Sequence, residues 1–265
     1  MNTPPVTLSV AGTDSGGAAG LAADLTTVAA LGGHGACAVT AVTAQDTTGV
    51  HRVVALSAHD VRAQVQAVLD DLPVAAAKTG MLGSAHVAHV VAELLGGLPL
   101  VVDPVLVATS GASLGGDAVA AAYRDVLLPR ATVATPNRDE ALRLTGLDPD
   151  RPDEEIALAL HGICPSVVLT GGDPDTATCR DVVVDERGRT TVLEHPAVPT
   201  RNDHGTGCTF SAALATHLAR GLDLETAVRR SQAFVARALT TSRRWSLGRG
   251  RGPVAHTFPQ PTQES

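Results

Sequence analysis

Short apolar runs recur along this chain with helix-length stretches between them, and that alternation restricts the fold more than any other feature. The runs are too short for ordinary helices. They are also too uniformly apolar for strands with one wet face, so they read as strands buried on both sides of a mainly parallel sheet. We place them at Val6 to Ala11, Ala36 to Val42, Val74 to Ala77, Leu98 to Val102, Ala131 to Ala134 and Ser166 to Leu169.

Helical apolar spacing fills the gaps: Gly17 to Leu31, His59 to Leu72, Ser84 to Leu95, Gly116 to Leu127, Arg138 to Thr145 and Asp153 to His161. The pattern then changes. Arg180 to Val184 and Thr190 to Leu193, joined through Asp185-Glu186-Arg187-Gly188, predict an antiparallel hairpin at one sheet edge. Two more helices are expected at Gly207 to Arg220 and Leu224 to Ser242. Neither a linker-like shift in composition nor an internal repeat interrupts the series, so residues 1–258 are expected to form one α/β domain and 259–265 a flexible tail.

Composition narrows the chemistry. Of 20 basic residues, 19 are arginine and one is lysine, Lys78. It stands in Ala77-Lys78-Thr79, so neither a P-loop nor a protein-kinase Val-Ala-Ile-Lys strand is present. A formal charge of −7, no long basic run and five aromatic residues argue against nucleic acid as a partner. The start, MNTPPVTLSV, has no basic leader and no apolar span, so no membrane segment and a cytoplasmic location are expected. Cys37, Cys164, Cys179 and Cys208 lack Cys-x-x-Cys spacing, and His86 with His89 lack a third ligand nearby, which disfavours disulfides and zinc.

In an α/β protein, chemistry gathers just past the carboxyl ends of the strands. After the first strand comes Gly12-Thr13-Asp14-Ser15-Gly16-Gly17-Ala18-Ala19-Gly20, with Asp24 in the helix beyond. Its glycines do not have Gly-x-Gly-x-x-Gly spacing, but they let backbone approach a small ligand closely. Gln45 follows the second strand; its amide suits either the edge of an amino-substituted heteroaromatic ring or loop backbone groups. Asp103, Asn137 and Glu140 follow the fourth and fifth strands. They suit Mg²⁺, while Asn137 and Glu140 also have capping-box spacing. Gly205, Thr206 and Gly207 precede an apolar helix whose N–H groups could hold an anion, and the same positive end would acidify the thiol of Cys208, a candidate base or nucleophile.

Six motifs stand in order: Ala11-Gly12-Thr13-Asp14-Ser15-Gly16-Gly17, Ala44-Gln45-Asp46-Thr47, Lys78-Thr79-Gly80-Met81-Leu82, Asp103-Pro104-Val105, Thr135-Pro136-Asn137 with Glu140, and His204-Gly205-Thr206-Gly207-Cys208-Thr209. In these the chain resembles the hydroxymethylpyrimidine/phosphomethylpyrimidine kinases of the ribokinase superfamily, from about Val6 to Phe258. The resemblance implies a ribokinase-like three-layer sandwich, a homodimer, and MgATP-dependent phosphorylation of 4-amino-5-hydroxymethyl-2-methylpyrimidine and then of its monophosphate in thiamine biosynthesis. By motif it implies a pyrimidine pocket of Gly12, Asp24, Val42, Gln45, Met81 and Val107, and an anion hole at Gly205, Thr206 and Gly207. Cys208 is implied as the base, and Asp103 and Glu140 as Mg²⁺ ligands, through water. ATP would meet Asp103, Asn137, Glu140, Thr170 and Gly172.

Two departures stand out. Thr170-Gly171-Gly172-Asp173 replaces the family's usual Lys-Gly-Gly-His, and Gln232 lies where many members carry lysine. Arg243, Arg244, Arg249 and Arg251 cluster near the chain end, where one of them reaching the phosphates would restore that charge. Glycines 111, 115 and 116 mark a candidate flap. The Thr-Gly-Gly also occurs in a pyridoxal-phosphorylating branch, the first alternative reading. A noncatalytic pyrimidine binder is the second.

Overall fold

The computed structural model describes residues 3–106, 116–172 and 177–257. The expectations for Val107, Gly111, Gly115, Asp173 and the 259–265 tail lie outside these. Ten strands are described: β1 (Val6–Ala11), β2 (His34–Val39), β3 (Ala41–Asp46), β4 (Gly49–Ala55), β5 (Val74–Thr79), β6 (Leu100–Val102), β7 (Val133–Ala134), β8 (Val167–Leu169), β9 (Thr178–Val184) and β10 (Thr190–Pro196). Eight of them make one sheet, ordered β10-β9-β8-β7-β6-β5-β1-β2. Pairing is parallel from β2 to β8; β9 and β10 form the antiparallel hairpin at the edge. The apolar runs of β1, β6, β7 and β8 are buried throughout, as expected, while β2 at the sheet edge and the start of β5 are only partly buried.

Among the described residues eight α-helices cover the sheet: α1 (Gly20–Ala30), α2 (Ala58–Asp71), α3 (Ala85–Leu95), α4 (Asp117–Ala122), α5 (Arg138–Thr145), α6 (Asp153–His161), α7 (Thr206–Leu218) and α8 (Leu224–Ser242). On one face α1, α7 and α8 pack side by side; on the other, α2 to α6 bury the larger apolar cluster. This is the three-layer arrangement expected. The stretch read as one helix to Leu127 is helix α4, then a π turn (Tyr123–Leu127), and a 3-10 turn (Leu128–Arg130) follows, with Pro129 at the second position of that turn.

The second apolar run belongs to two strands and not one. The apolar stretch from Ala36 to Val42 is broken at Thr40, whose hydroxyl donates to the Met81 carbonyl at 2.6 Å. Beyond it β3 leaves the main sheet and pairs antiparallel with β4 as a separate ribbon. Strand alternation then divides the residues of β3: Ala41, Thr43 and Gln45 face inward, while Val42 and Ala44 face out.

Strand order also locates the site. The chain runs from β1 outward to β2 and returns to β5 on the other side of β1, so the order reverses between β1 and β5. At such a point the loops leaving the two strands diverge and open a crevice.

Candidate active site

A cleft of about 400 Å³ runs along the carboxyl ends of β1, β5, β6, β7 and β8. At one end it is lined by Gly12, Gln45 and Met81, in the middle by Asp103, Glu140 and the 205–208 segment, and at the other by Thr170, Gly172, Val198, Val235 and Leu239. Sequence residues as distant as Gly12 and Leu239 therefore share one continuous wall.

The first end is organised by three side chains. Nε2 of Gln45 lies 3.0 Å from Nε2 of His204, which in turn lies 3.3 Å from Oδ2 of Asp14. Burial pushes the Asp14 carboxyl up, but His204 and the N–H groups of Ala19 and Gly16 outweigh it and hold it below its usual range. Asp14 thus ties the glycine loop after β1 to the segment before α7. His204 and Asp14 stand in the sequence motifs, yet their partnership joins positions 190 residues apart and has no local signal.

Gly205 is the N-cap of α7, with φ +90°. A Cβ there would fall 1.8 Å from the Ala18 carbonyl, so both conformation and space require glycine. The first-turn N–H groups of Gly207 and Cys208 have no acceptor within the helix, while that of Thr206 reaches the Asp203 carbonyl at 3.3 Å. Anion capture at Gly205, Thr206 and Gly207 accordingly rests on a positive helix end that opens into the cleft.

Cys208 lines the cleft as expected, but its ionisation differs from the sequence expectation. Burial pushes the thiol up to about 12, and Lys78 only partly opposes this against the charges of Asp24 and Asp103. Desolvation is the largest influence on this thiol.

Asp103, after β6, accepts from the Ser211 hydroxyl at 3.0 Å. Glu140 and Asn137 complete the capping box of α5: the Asn137 side chain accepts from the Glu140 N–H at 2.9 Å, and Glu140 from the Asn137 N–H at 3.0 Å. Burial raises the Asp103 carboxyl to about 6 despite Lys78, and burial together with the neighbouring Asp103 raises Glu140 to about 8. Two buried carboxylates that repel one another suit a hard divalent cation. Among the described residues no cluster of three or more His, Cys, Asp or Glu is placed to bind a metal, so the remaining ligands would come from phosphate or water.

At the far end Thr170 and Gly172 line the cleft as expected. Gln232 also lines it and donates from Nε2 to Asp181 Oδ2 at 2.7 Å, while Asp181 Oδ1 accepts from the Gly171 N–H at 2.8 Å. Of the terminal arginines, Arg251 alone is among the lining residues, paired with Asp203 through Nε at 2.7 Å.

Two expected pocket residues lie elsewhere. Asp24 is fully buried beneath the cleft, where both its oxygens accept from Lys78 Nζ at 2.8 and 2.9 Å. Val42 sits on the outer face of β3 and is 49% exposed, because alternation turns it away from Gln45. Val107 lies outside the described residues.

The model of phosphomethylpyrimidine kinases matches residues 14–255. The chain belongs to that family. A hydroxymethylpyrimidine/phosphomethylpyrimidine kinase of Synechococcus elongatus is 43% identical over 260 residues, covering 96% of this chain and 98% of that protein. One of Streptomyces coelicolor is 44% identical over 258 residues, 96% of this chain and 95% of the other. Among solved structures, the ADP complex of Bacillus subtilis pyridoxal kinase superposes with a TM-score of 0.88 at 33% identity, covering 96% and 98% of the two chains. Phosphomethylpyrimidine kinase of Clostridium difficile gives 0.76 at 31% identity, covering 89% and 99%. Membership makes this chain a kinase with the ribokinase-like fold that its motifs implied.

Proposed function

We propose that the protein transfers the γ-phosphoryl group of ATP to 4-amino-5-hydroxymethyl-2-methylpyrimidine, and then a second one to the monophosphate, in thiamine biosynthesis. The observation that carries this reading is the continuity of the cleft from Gln45 and Met81, past Cys208 at the start of α7, to the slot at Val198, Val235 and Leu239. A flat aminopyrimidine suits the first end, with the Gln45 amide at its polar edge. A purine suits the apolar slot. The γ-phosphate then falls between them, at the helix end.

In the first step the hydroxymethyl oxygen bonds to the γ-phosphorus as the bond to the bridging oxygen breaks and ADP leaves with its electron pair. The hydroxyl proton passes to the Cys208 sulfur in its thiolate form. Because burial pushes the thiol up to about 12, that form is a minor population at neutral pH. First-turn N–H groups of α7 take up the developing phosphoryl charge. Asp103 and Glu140 would hold Mg²⁺, which neutralises charge on the phosphates when bound. In the second step the attacking phosphate is already ionised and needs no base.

The structural likeness to pyridoxal kinases favours one competing substrate, pyridoxal. Gln45 supports the pyrimidine, whose amino group and ring nitrogen match an amide donor and acceptor. Incubation with MgATP and hydroxymethylpyrimidine, followed by mass analysis, is expected to show monophosphate and then diphosphate; absence of both products would refute the reading.

We further place the chain in the cytoplasm, where ATP is available and its four unbridged cysteines remain thiols. No helix among the described residues is long and apolar enough to cross a membrane. Val42 and Val54, paired across the outer face of the β3–β4 ribbon and 49% and 48% exposed, offer an apolar face for a second copy of the chain. Sedimentation should show a dimer that Val42→Glu with Val54→Glu dissociates; a wild-type monomer would exclude it.

A further inference from the structure

The chain's single lysine is fully buried. Lys78 lies on β5, its Nζ within 2.9 Å of both oxygens of Asp24 on α1. The Ser9 hydroxyl donates to Asp24 at 2.5 Å, fixing the carboxylate from a third element. A cation at this depth is costly unless paired, and an apolar pair of equal volume would often be as stable. Its presence beneath an active site therefore invites a role beyond packing.

Three contacts connect it to the cleft. Gly80, two residues on and facing the same side, lines the cleft; a Cβ there would lie 3.2 Å from the lysine Nζ, so almost nothing separates the ammonium from the cleft floor. Helix α7 packs on β5 and on α1, and its Cys208 shares the cleft wall with Gly80 beyond β5 and with Gly20 at the start of α1. We propose that Lys78, held by Asp24, is a positioning residue supplying the buried positive charge that supports Cys208 as a thiolate. The inference rests on the reading of Cys208 as the base.

Asp24 from α1, Asp103 beyond β6 and Cys208 from α7 act on the Lys78 charge, Cys37 from β2 faces Asp24, and the Tyr123 hydroxyl donates to the Gly80 carbonyl at 2.9 Å. All but Lys78 carry negative charge when ionised. Both Cys208 and Asp103 favour the charged lysine, and the lysine favours their ionised forms in return. Asp24 prevents Lys78 from shedding its proton, and its own charge opposes that of Cys208 less than the lysine supports it.

Alkylation of Cys208, followed peptide by peptide at pH 9, reads thiolate content without reference to turnover. In the Asp24→Asn/Lys78→Met double variant, which removes the pair as a unit, the rate at Cys208 is expected to fall at least about tenfold while Cys179 is unchanged. An equal rate at Cys208 would overturn the proposal even if the enzyme is an active kinase. Should the double variant not fold, the wild type decides. Its one lysine provides one side-chain ¹⁵N ammonium resonance, expected to shift when Cys208 is carboxymethylated and to stay fixed when Cys208→Ala is treated alike. A resonance indifferent to Cys208 modification would equally overturn it.

Discussion

Gln45 and His204, 159 residues apart, meet through their side-chain nitrogens at 3.0 Å at the end of the cleft lined by Gly12 and Met81. Asp14 holds the far side of that contact, 3.3 Å from the imidazole. The amide that would read the pyrimidine edge is therefore already oriented before ligand arrives, which lowers the ordering cost of binding.

Replacing Gln45 with methionine keeps the volume and removes both polar atoms. Gln45→Met is expected to weaken hydroxymethylpyrimidine binding about tenfold or more while leaving ATP affinity within about twofold, as losing one or two hydrogen bonds implies. Calorimetric titration with each ligand checks this; parallel loss of both would mean that Gln45 supports the fold instead of the substrate.

Cys208 separates the two phosphorylations. Its thiol, raised to about 12, gains thiolate tenfold for each pH unit below that value. The first phosphorylation should therefore accelerate from pH 7 to 9 in the wild type, and Cys208→Ala should slow it about 10²–10⁴-fold, the usual worth of general-base help. The second phosphorylation should change far less in both respects. Single-turnover rates for each step, measured across pH, would contradict the base assignment if both fell together.

Glu140 makes stability depend on pH. Its folded carboxyl, at about 8, lies above its ordinary value of 4.5, so the stability associated with its protonated form is complete below pH 4.5 and is lost as pH rises towards 8. Asp103, raised from 3.8 to about 6, acts in the same direction over a lower window. Gln retains the capping-box geometry at position 140 without the charge. Thermal melts of the ligand-free protein should show Glu140→Gln equal to wild type near pH 4 and more stable by about 1–3 kcal/mol at pH 8. Magnesium with nucleotide should then stabilise the wild type at pH 8 more than the variant; identical melts at both pH values would show that Glu140 is not a buried anion.

What the sequence made legible was local. Helices α5, α6 and α8 occupy the expected residues end to end, and the start of α5 is marked in short-range chemistry by Asn137 with Glu140. Gly205 to Cys208 was equally readable as a glycine turn opening a helix. The errors arose where partners are remote. Nothing around Asp24 reveals that it pairs with Lys78, 54 residues on, instead of facing substrate. The apolar run through Val42 conceals the change of sheet at Thr40, and with it the direction in which Val42 points. The acidity expected of Cys208 considered only the helix end, since its burial depends on α1 and β5 packing against α7.

Direct competition between substrates tests whether this cleft is built for an aminopyrimidine. With hydroxymethylpyrimidine and pyridoxal in one vessel at equal concentration, MgATP and the purified protein, the ratio of phosphorylated products gives the ratio of kcat/KM values directly. The pyrimidine phosphates should predominate at least about tenfold in the wild type, and the preference should shrink in Gln45→Met. Predominance of pyridoxal phosphate in the wild type would contradict the account.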